Sequence, residues 1–318
     1  MKKIKVIVVV VLFFIVVPKA VSQQIAQYSQ YLFNPIYINP AYTGYKNDLF
    51  IQSFYRKQWV GLEGSPESFG VAADAMLNSQ NVGIGMVAMA DNLGLQSTQS
   101  LYANLAYHLQ VGYDSYLSFG TGVGFVNYRM KSELYDPTIL DDPTLNLGLG
   151  NIIYPDLRVG LLFYSEYLFA GVSVDQALEN ILNIDNVDLV VAPKRSLSFS
   201  LGRIIDVTDR LLIKPSFFSM FDFKANRRLD FNLFFMYDES IGLGLGHRRS
   251  IKFFQKDLAG DKSIAFILNT EIRLGEHLRL GYSYDYPMSG FWNYESHEIS
   301  LGFLLISPQS RLRSPRYF

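Results

Sequence analysis

Cysteine is absent from the 318 residues of the sequence, and charged residues make up only 18% of it. The lack of cysteine excludes a disulfide framework, a thiolate zinc site and a lipid anchor on an N-terminal cysteine. After residue 22, no apolar run approaches the roughly 20 residues that a membrane-spanning helix needs. No glycine-rich phosphate-binding motif is present. The chain must therefore be stabilised without cross-links and without spanning helices.

The first 22 residues are typical of a secretory signal peptide. Lys2, Lys3 and Lys5 precede an apolar run of 12 residues, and the small residues Ala20 and Ser22 follow. This run is short for a spanning helix, although an uncleaved anchor is the alternative. We expect cleavage after Ser22, which removes four lysines and changes the net charge from −1 to about −5.

Aromatic residues and glycine are abundant, with 24 Phe, 21 Tyr and 24 Gly. An exported chain that lacks spanning helices can still cross a membrane as a closed β-barrel, in which every backbone group is paired. Such barrels occur in bacterial outer membranes and are rich in aromatic residues at the lipid boundary. The composition therefore predicts an all-β outer-membrane barrel.

Alternating hydrophobicity supports this fold. In residues 278–286, Leu278, Leu280, Tyr282 and Tyr284 alternate with smaller or polar side chains, as in a strand with one lipid-facing side. The same test predicts fourteen strands, an even number as in single-chain barrels. They lie at 48–59, 67–76, 82–91, 97–110, 115–130, 152–164, 167–175, 195–205, 210–221, 227–238, 241–253, 262–274, 277–286 and 297–306.

The connections between these strands alternate in length. Every second one is short and polar, such as 112–115 and 239–240, whereas the intervening ones include 131–151 and 176–194. Short turns face the periplasm in such barrels, so we expect both termini on the periplasmic side. A soluble β-sandwich or jelly roll also alternates, but it rarely needs this density of Tyr and Phe.

Charge is unevenly distributed along the chain. Residues 132–193 contain ten acidic residues and one basic residue, whereas residues 194–256 contain twelve basic and six acidic residues. The acidic residues fall largely in two long outer loops, and a two-signed exterior of this kind can steer a protein partner to the surface. The alternative is a set of solvated loops that contact lipopolysaccharide and outer-membrane lipids.

No catalytic, cofactor, metal or nucleic-acid site is predicted. The four histidines are scattered without a second ligand at metal spacing. Ser296 and His297 could suggest a hydrolase, but neighbours in a strand point to opposite faces. Glu133, Asp136 and Asp141 with Asp142 could hold calcium, although their spacing matches no standard calcium loop.

The stretch SQYLFNPIYINPAYTG, residues 29–44, fits no regular element. Its two prolines remove backbone donors and push the preceding asparagines out of the helical region. We predict that residues 23–47 form an irregular plug or cap at the periplasmic mouth of a barrel that spans 48–306. The alternative is a lead-in that only closes the barrel base. The candidate plug residues are Phe33, Asn34, Asn39, Pro40 and Tyr42.

A second candidate site lies at the seam of the barrel. The first strand of a closed barrel pairs with the last, so loop 60–66 should lie beside loop 287–295 at the outer rim. An aromatic cluster is therefore predicted there, as a partner site or as a lipid-boundary girdle, from Trp59, Phe291, Trp292 and Tyr294. A basic periplasmic tail, 307–318, is the third candidate and carries Arg311, Arg313 and Arg316.

Three blocks of sequence resemble the PorP/SprF family. They are Gln27–Gly44, with its Asn-Pro pairs; Arg56–Gly61, Arg-x-Gln-Trp-x-Gly, followed by Gly64 and Pro66; and Gly281–Tyr286, Gly-Tyr-Ser-Tyr-Asp-Tyr, followed by Ser296–Ile299. The resemblance covers essentially the whole mature chain. Pro287 and Met288 depart from it, since small polar residues are expected there.

This resemblance implies an outer-membrane protein of the type IX secretion and gliding-motility machinery of Bacteroidetes. It implies a non-enzymatic accessory barrel that supports secretion and surface anchoring of a large adhesin, bound through the adhesin's C-terminal domain. It further implies periplasmic ring proteins and a peptidoglycan-binding lipoprotein as partners. The main alternative is a plugged transporter of hydrophobic small molecules, because long-chain fatty-acid channels also combine fourteen strands with an Asn-Pro-Ala element.

Overall fold

The computed structural model describes residues 28–77, 81–130, 151–179, 195–222, 226–252, 263–288 and 294–305. These residues form an all-β structure with two short 3-10 turns. The strands are β1 (Leu49–Lys57), β2 (Glu67–Leu77), β3 (Val82–Leu93), β4 (Gln96–Gln110), β5 (Tyr116–Met130), β6 (Asn151–Tyr164), β7 (Leu168–Asp175), β8 (Ser196–Arg203), β9 (Ile205–Thr208), β10 (Leu211–Asp222), β11 (Asn226–Tyr237), β12 (Ile241–Lys252), β13 (Ser263–Leu274), β14 (Leu278–Pro287) and β15 (Ser296–Leu305).

The sheet is a closed antiparallel barrel. Apart from β8 and β9, strands that follow one another in the chain are paired, and β1 also pairs with β15, from Leu49↔Leu305 to Lys57↔His297. Both β8 and β9 pair with β10 and together make one strand of the wall, so fourteen strands surround the lumen. The predicted barrel of fourteen strands is confirmed.

One strand differs from its prediction. The sequence predicts a continuous strand over 195–205, but the structure interrupts it at Ile204, between β8 and β9. Across the interruption, β10 pairs with β8 through Ser216–Asp222 and with β9 through Leu211–Ile213. Pro215 lies in the gap, and proline has no amide hydrogen to complete the ladder. The alternating pattern of side chains does not reveal this local break.

Side chains alternate between the two faces of the wall. In β15, Ile299, Leu301 and Phe303 are exposed on the outer face, whereas Glu298 and Ser300 are buried on the lumen face. An apolar outer band and a polar inner face match the demands of a lipid bilayer outside. No helix among the described ranges is long and apolar enough to cross a membrane.

The barrel has a short-turn end and a long-loop end. The short connections include 111–115, 165–167 and 238–240, and they join strands at the end where β1 begins. The opposite end has most of the longer connections, although the links from β3 to β4 and from β10 to β11 are short. The sequence predicts that the short-turn end faces the periplasm, and this orientation stays a prediction.

Residues 28–46, which we call the lumen segment, run through the interior of the barrel. Near the long-loop end, the Ser29 amide donates a 2.7 Å hydrogen bond to Glu298 Oε2. Near the short-turn end, the Gly44 amide donates a 2.8 Å bond to Asp74 Oδ2. The segment is therefore not confined to the short-turn mouth, where the cap was predicted. It extends along the lumen toward the opposite end of the barrel.

The described chain ends lie at opposite ends of the barrel. Tyr28 lies among long-loop-end residues, and its carbonyl accepts a 2.6 Å hydrogen bond from Arg228 Nη2. Leu305 pairs with Leu49 at the short-turn end. This separation arises because the lumen segment traverses the barrel before β1 begins. The termini themselves lie outside the described residues, and the expectation that both face the periplasm stays a prediction.

Candidate functional site: the filled lumen

The two Asn-Pro pairs shape the lumen segment into two 3-10 turns, Pro35–Tyr37 and Pro40–Tyr42. Each proline occupies the first position of its turn, where a missing amide hydrogen costs no internal bond. Asn39 caps the second turn, since its side-chain oxygen accepts a 2.8 Å hydrogen bond from the Ala41 amide. The Asn34 side chain makes no such cap. The pairs therefore build compact turns rather than an extended chain.

Asn39 also ties the segment to the barrel wall. Its side-chain nitrogen Nδ2 donates hydrogen bonds to the carbonyl oxygens of Leu161 in β6 and Val172 in β7, at 3.1 and 3.3 Å. The Ile38 carbonyl accepts a hydrogen bond from Ser173 at 2.5 Å. Buried polar groups need such partners. The Asn39 side chain therefore forms hydrogen bonds with its own turn and with the barrel wall at the same time.

Aromatic side chains of the segment pack against rings on the wall. Tyr31 lies 4.4 Å from Phe218, and Phe33 lies 5.1 Å from Phe234, measured between ring centroids. On the other side of the lumen, Tyr37 contacts Phe54 with centroids 4.8 Å apart. The segment thus bridges β1 with β10 and β11, and these rings are buried.

Two wall glycines allow the backbone of the segment to approach closely. A Cβ added at Gly120 would lie 2.2 Å from the Ala41 nitrogen, and one added at Gly83 would lie 2.0 Å from the Thr43 oxygen. No side chain fits at these distances without moving the backbone. Glycine at these two wall positions therefore leaves the space that the backbone of the segment occupies.

Three arginines and three carboxylates hold the other end of the segment. We call this set the arginine network, and its members are Arg56, Arg228, Arg248, Asp230, Asp285 and Glu298. Arg248 connects its two halves, with ion pairs of 3.0 Å to Asp230 and 2.9 Å to Asp285. All six side chains are buried, and their formal charges balance.

The network binds the first described residues directly. Glu298 accepts hydrogen bonds from the amides of Ser29 and Gln30, at 2.7 and 3.0 Å. The Ser29 hydroxyl donates to Asp285 at 2.8 Å and accepts from Arg56 and Arg248, at 3.0 Å each. The buried charges are thus satisfied partly by the segment itself. Removal of the segment would leave these charges without those partners.

The arginine network is not among the sites that the sequence predicts. Arg56, Asp285 and Glu298 lie within the blocks that resemble the PorP/SprF family, but the block patterns do not show that these side chains meet. A signal exists, because each charged residue occupies a lumen-facing position near the long-loop end of its strand. Pairing them required the register of strands that are far apart in sequence.

The predicted rim cluster is described in part. The Trp59 amide donates a 3.1 Å hydrogen bond to Ser296 Oγ, and the Val60 amide donates a 2.8 Å bond to the Glu295 carbonyl. The two loops therefore adjoin at the seam near Trp59 and Tyr294. Phe291 and Trp292 lie outside the described residues, as do the tail residues Arg311, Arg313 and Arg316. Their roles stay predictions.

Ser296 and His297 have separate environments. Ser296 is buried and accepts from the Trp59 amide, whereas His297 Nδ1 lies 2.7 Å from the Tyr282 hydroxyl on the outer face. Within the described ranges, no group of three or more His, Asp or Glu side chains could hold a metal ion. The calcium alternative, with Glu133, Asp136, Asp141 and Asp142, lies outside those ranges.

Solved structures with similar folds are outer-membrane proteins and channels. The CymD monoaromatic hydrocarbon channel is 8% identical, with a TM-score of 0.52 over 89% of this chain and 94% of that one. Omp33 of Acinetobacter baumannii is 6% identical, with a TM-score of 0.47 over 81% of this chain and 98% of that one. The Pseudomonas putida toluene transporter TodX is 11% identical, with a TM-score of 0.45 over 91% of this chain and 95% of that one. The CymD likeness shows the fold alone.

A comparison with family models shows the family of the chain, which the fold alone does not show. The chain has no significant sequence match among curated proteins. A family model described as type IX secretion system membrane protein PorP/SprF matches residues 20–303. The match includes the lumen segment, the arginine network and the rim at Trp59. Together with the closed barrel and its apolar outer band, it identifies an outer-membrane component of secretion machinery. The chain therefore belongs to the PorP/SprF family of type IX secretion system membrane proteins.

Proposed function

We propose that this barrel is a non-conducting accessory of type IX secretion that supports secretion and surface anchoring of a large adhesin by protein binding. The adhesin's C-terminal domain docks at the long-loop end. Periplasmic ring components and a peptidoglycan-binding lipoprotein contact the basic tail at the other end. The family match supports the secretion role, and the lumen supports the binding role.

The observation that carries this proposal is the attachment of the lumen segment at both ends. Glu298 and the arginines hold Ser29 at the long-loop end, and Asp74 holds Gly44 at the short-turn end. Between them, Asn39 and the aromatic rings contact opposite walls. A segment fixed in this way acts as a plug, and a plugged barrel offers its rims rather than its lumen to partners.

The rim at the seam is the docking surface that we propose for the adhesin. Trp59 has a positive φ of 52°, which L-residues seldom adopt. Its loop is held to Glu295 and Ser296 through backbone amides. Fixed aromatic side chains are frequent anchors of protein interfaces. The sequence places Phe291 and Trp292 in the adjoining loop.

A mild-detergent pull-down of the tagged protein from its own outer membrane, followed by mass spectrometry, tests the proposal. We expect a large surface adhesin together with periplasmic machinery. The Trp59→Ala variant should lose the adhesin and keep the periplasmic partners. Tyr113→Ala is the matched control, because Tyr113 is an exposed aromatic residue at the short-turn end. Recovery of the barrel alone would contradict the proposal.

One observation favours the second candidate, a transporter of hydrophobic small molecules. An apolar groove of about 680 Å³ lies on the outer wall beside Pro215, where the strand ladder is interrupted. Its lining includes Phe217, Phe231 and Leu245. Uptake of a monoaromatic hydrocarbon into liposomes that carry the protein would support this function. Equal uptake into protein-free liposomes would exclude it.

A further inference from the structure

The groove on the outer wall lies where the strand ladder is interrupted. β10 pairs with β8 from Ser216 onward and with β9 up to Ile213, so Pro215 lies in the interruption. The groove has a volume of about 680 Å³ and extends across β8, β10, β11 and β12. Sites of roughly 300–1,000 Å³ are typical for small-molecule ligands. The groove is therefore large enough to hold a small molecule or one chain of a lipid.

Two neighbouring rows of outward-facing side chains border this groove. One row consists of successive register partners on five strands, namely Leu201, Phe217, Phe231, His247 and Phe266. The next outward positions on the first four of these strands are occupied by Arg203, Pro215, Leu233 and Leu245. The rings of Phe217 and Phe231 lie 5.0 Å apart between centroids. The groove is thus elongated along the rows and apolar over most of its length.

The two ends of the groove lie at different depths of the wall. Arg203 is the register partner of Leu168, the first residue of β7, which follows the short turn 165–167. Leu245 lies near the middle of β12. Strands of a closed barrel are tilted against its axis, so a row of register partners changes depth along the wall. The groove therefore extends from the short-turn rim toward the middle of the apolar band.

Arg203 places a positive charge at the rim end of the groove. It is exposed on the outer face, because exposed and buried residues alternate along β8. Among the described residues that line the groove, none carries a carboxylate. A cation that faces lipid is costly at the bilayer midplane but not near the interface, where a long side chain reaches the headgroups. A charged rim and an apolar interior match the two parts of an anionic lipid.

We propose that this groove binds a glycerophospholipid with a net negative headgroup. Its acyl chain lies along the row of Phe217 and Phe231, and its phosphate contacts the guanidinium group of Arg203. A guanidinium group binds phosphate oxygens through paired donors. With the short-turn end in the periplasm, as the sequence predicts, this lipid belongs to the inner leaflet of the outer membrane. The proposal goes beyond the secretion role and requires no opening of the lumen.

A hydrocarbon is the competing occupant, because it would fill the same apolar surface. It has no anionic group, so it would make no use of Arg203. The charge at the rim therefore favours the phospholipid, and a variant of Arg203 distinguishes the two ligands.

Quenching of tryptophan fluorescence by brominated phospholipids tests the proposal. The chain has two tryptophans, Trp59 and Trp292, and both are replaced by phenylalanine. A single reporter is then placed in the groove by Phe217→Trp, in the full-length chain reconstituted into phosphatidylcholine vesicles. Bromine quenches only at short range, so this reporter responds to the lipid that lies in the groove. Heat-modifiable migration on gels shows that each variant is folded.

We expect brominated phosphatidylglycerol, which is anionic, to bind beside the reporter about five-fold more tightly than brominated phosphatidylcholine, as for one basic residue near the membrane surface. Arg203→Gln should abolish this preference, whereas Arg203→Lys should retain it because the charge is kept. Val123→Trp, on the lipid-facing side of β5, is the control reporter and should show no preference.

Equal quenching by the two phospholipids at Phe217→Trp would overturn the proposal, and so would a preference that survives Arg203→Gln. A preference of the same size at Val123→Trp would also overturn it, because anionic lipid would then surround the whole barrel. Stronger quenching by a brominated monoaromatic hydrocarbon, unchanged in Arg203→Gln, would assign the groove to a hydrocarbon instead. The purified barrel contains no secretion partner, so these outcomes are independent of the pull-down.

Discussion

Arg56 and Asp285 form a buried ion pair of 2.7 Å across the closing seam of the barrel, although 229 residues separate them in sequence. Arg56 lies in β1 and Asp285 in β14, with β15 between them. Arg56 also contacts Glu298 of β15 at 3.2 Å and the Ser29 hydroxyl at 3.0 Å. The guanidinium group thus joins barrel closure to the position of the lumen segment.

Arg56→Met should destabilise the barrel by about 3–5 kcal/mol, because it leaves Asp285 and Glu298 buried with fewer partners. The measurement is urea-dependent unfolding in lipid vesicles, followed by tryptophan fluorescence. Lys57→Met is the adjacent control. Lys57 and Glu67 are about one-third exposed, so losing their ion pair should cost about 0–1 kcal/mol. Equal losses in both variants would refute the structural role of Arg56.

Gly120→Val should displace the lumen segment, because the new side chain would occupy the space of the Ala41 backbone. We expect faster proteolysis within residues 28–46 and a measurable ion conductance in planar bilayers. Val123→Leu, on the lipid-facing side of the same strand, is the control and should change neither readout. If Gly120→Val folds and remains non-conducting with a protected segment, the segment does not close the lumen.

Leu245→Arg should weaken folding into vesicles by about 2–4 kcal/mol, as expected for a cation near the bilayer midplane. Leu245 lies near the middle of β12 and is 62% exposed on the outer wall. Val111→Arg, at a short turn, should cost about 0–1 kcal/mol because it lies near the membrane boundary. A reversed order would mean that the outer face of β12 does not contact lipid.

The orientation of the barrel can be tested by cysteine labelling, because the chain contains no cysteine of its own. We predict that Glu63→Cys, in the loop between β1 and β2, reacts with a membrane-impermeant maleimide on intact cells. Asp114→Cys, in the turn between β4 and β5, should react only after the outer membrane is permeabilised. The opposite pattern would place the short-turn end outside.

The sequence by itself determined the architecture, because the side chains of a strand beside lipid must alternate between apolar and polar with a period of two residues. That local rule places apolar residues such as Leu301 and Phe303 on one face and fixes most strand bounds. It also identified residues 29–44 as irregular, since proline forbids helix and central strand alike. The adjacency of the loop after β1 and the loop before β15, seen at Val60 and Glu295, followed from closure of the barrel.

Only the tertiary structure decided the path of the lumen segment and the partners of the buried charges. The alternation of side chains predicts that Arg56, Arg248 and Asp285 point into the lumen, but it does not predict which of them form ion pairs. Those contacts depend on the register and curvature of strands that close over hundreds of residues. The path of residues 28–46 through the lumen likewise depends on wall positions where glycine leaves space for their backbone, and on hydrogen bonds at both ends of the segment. These are long-range relationships, and no local sequence pattern encodes them.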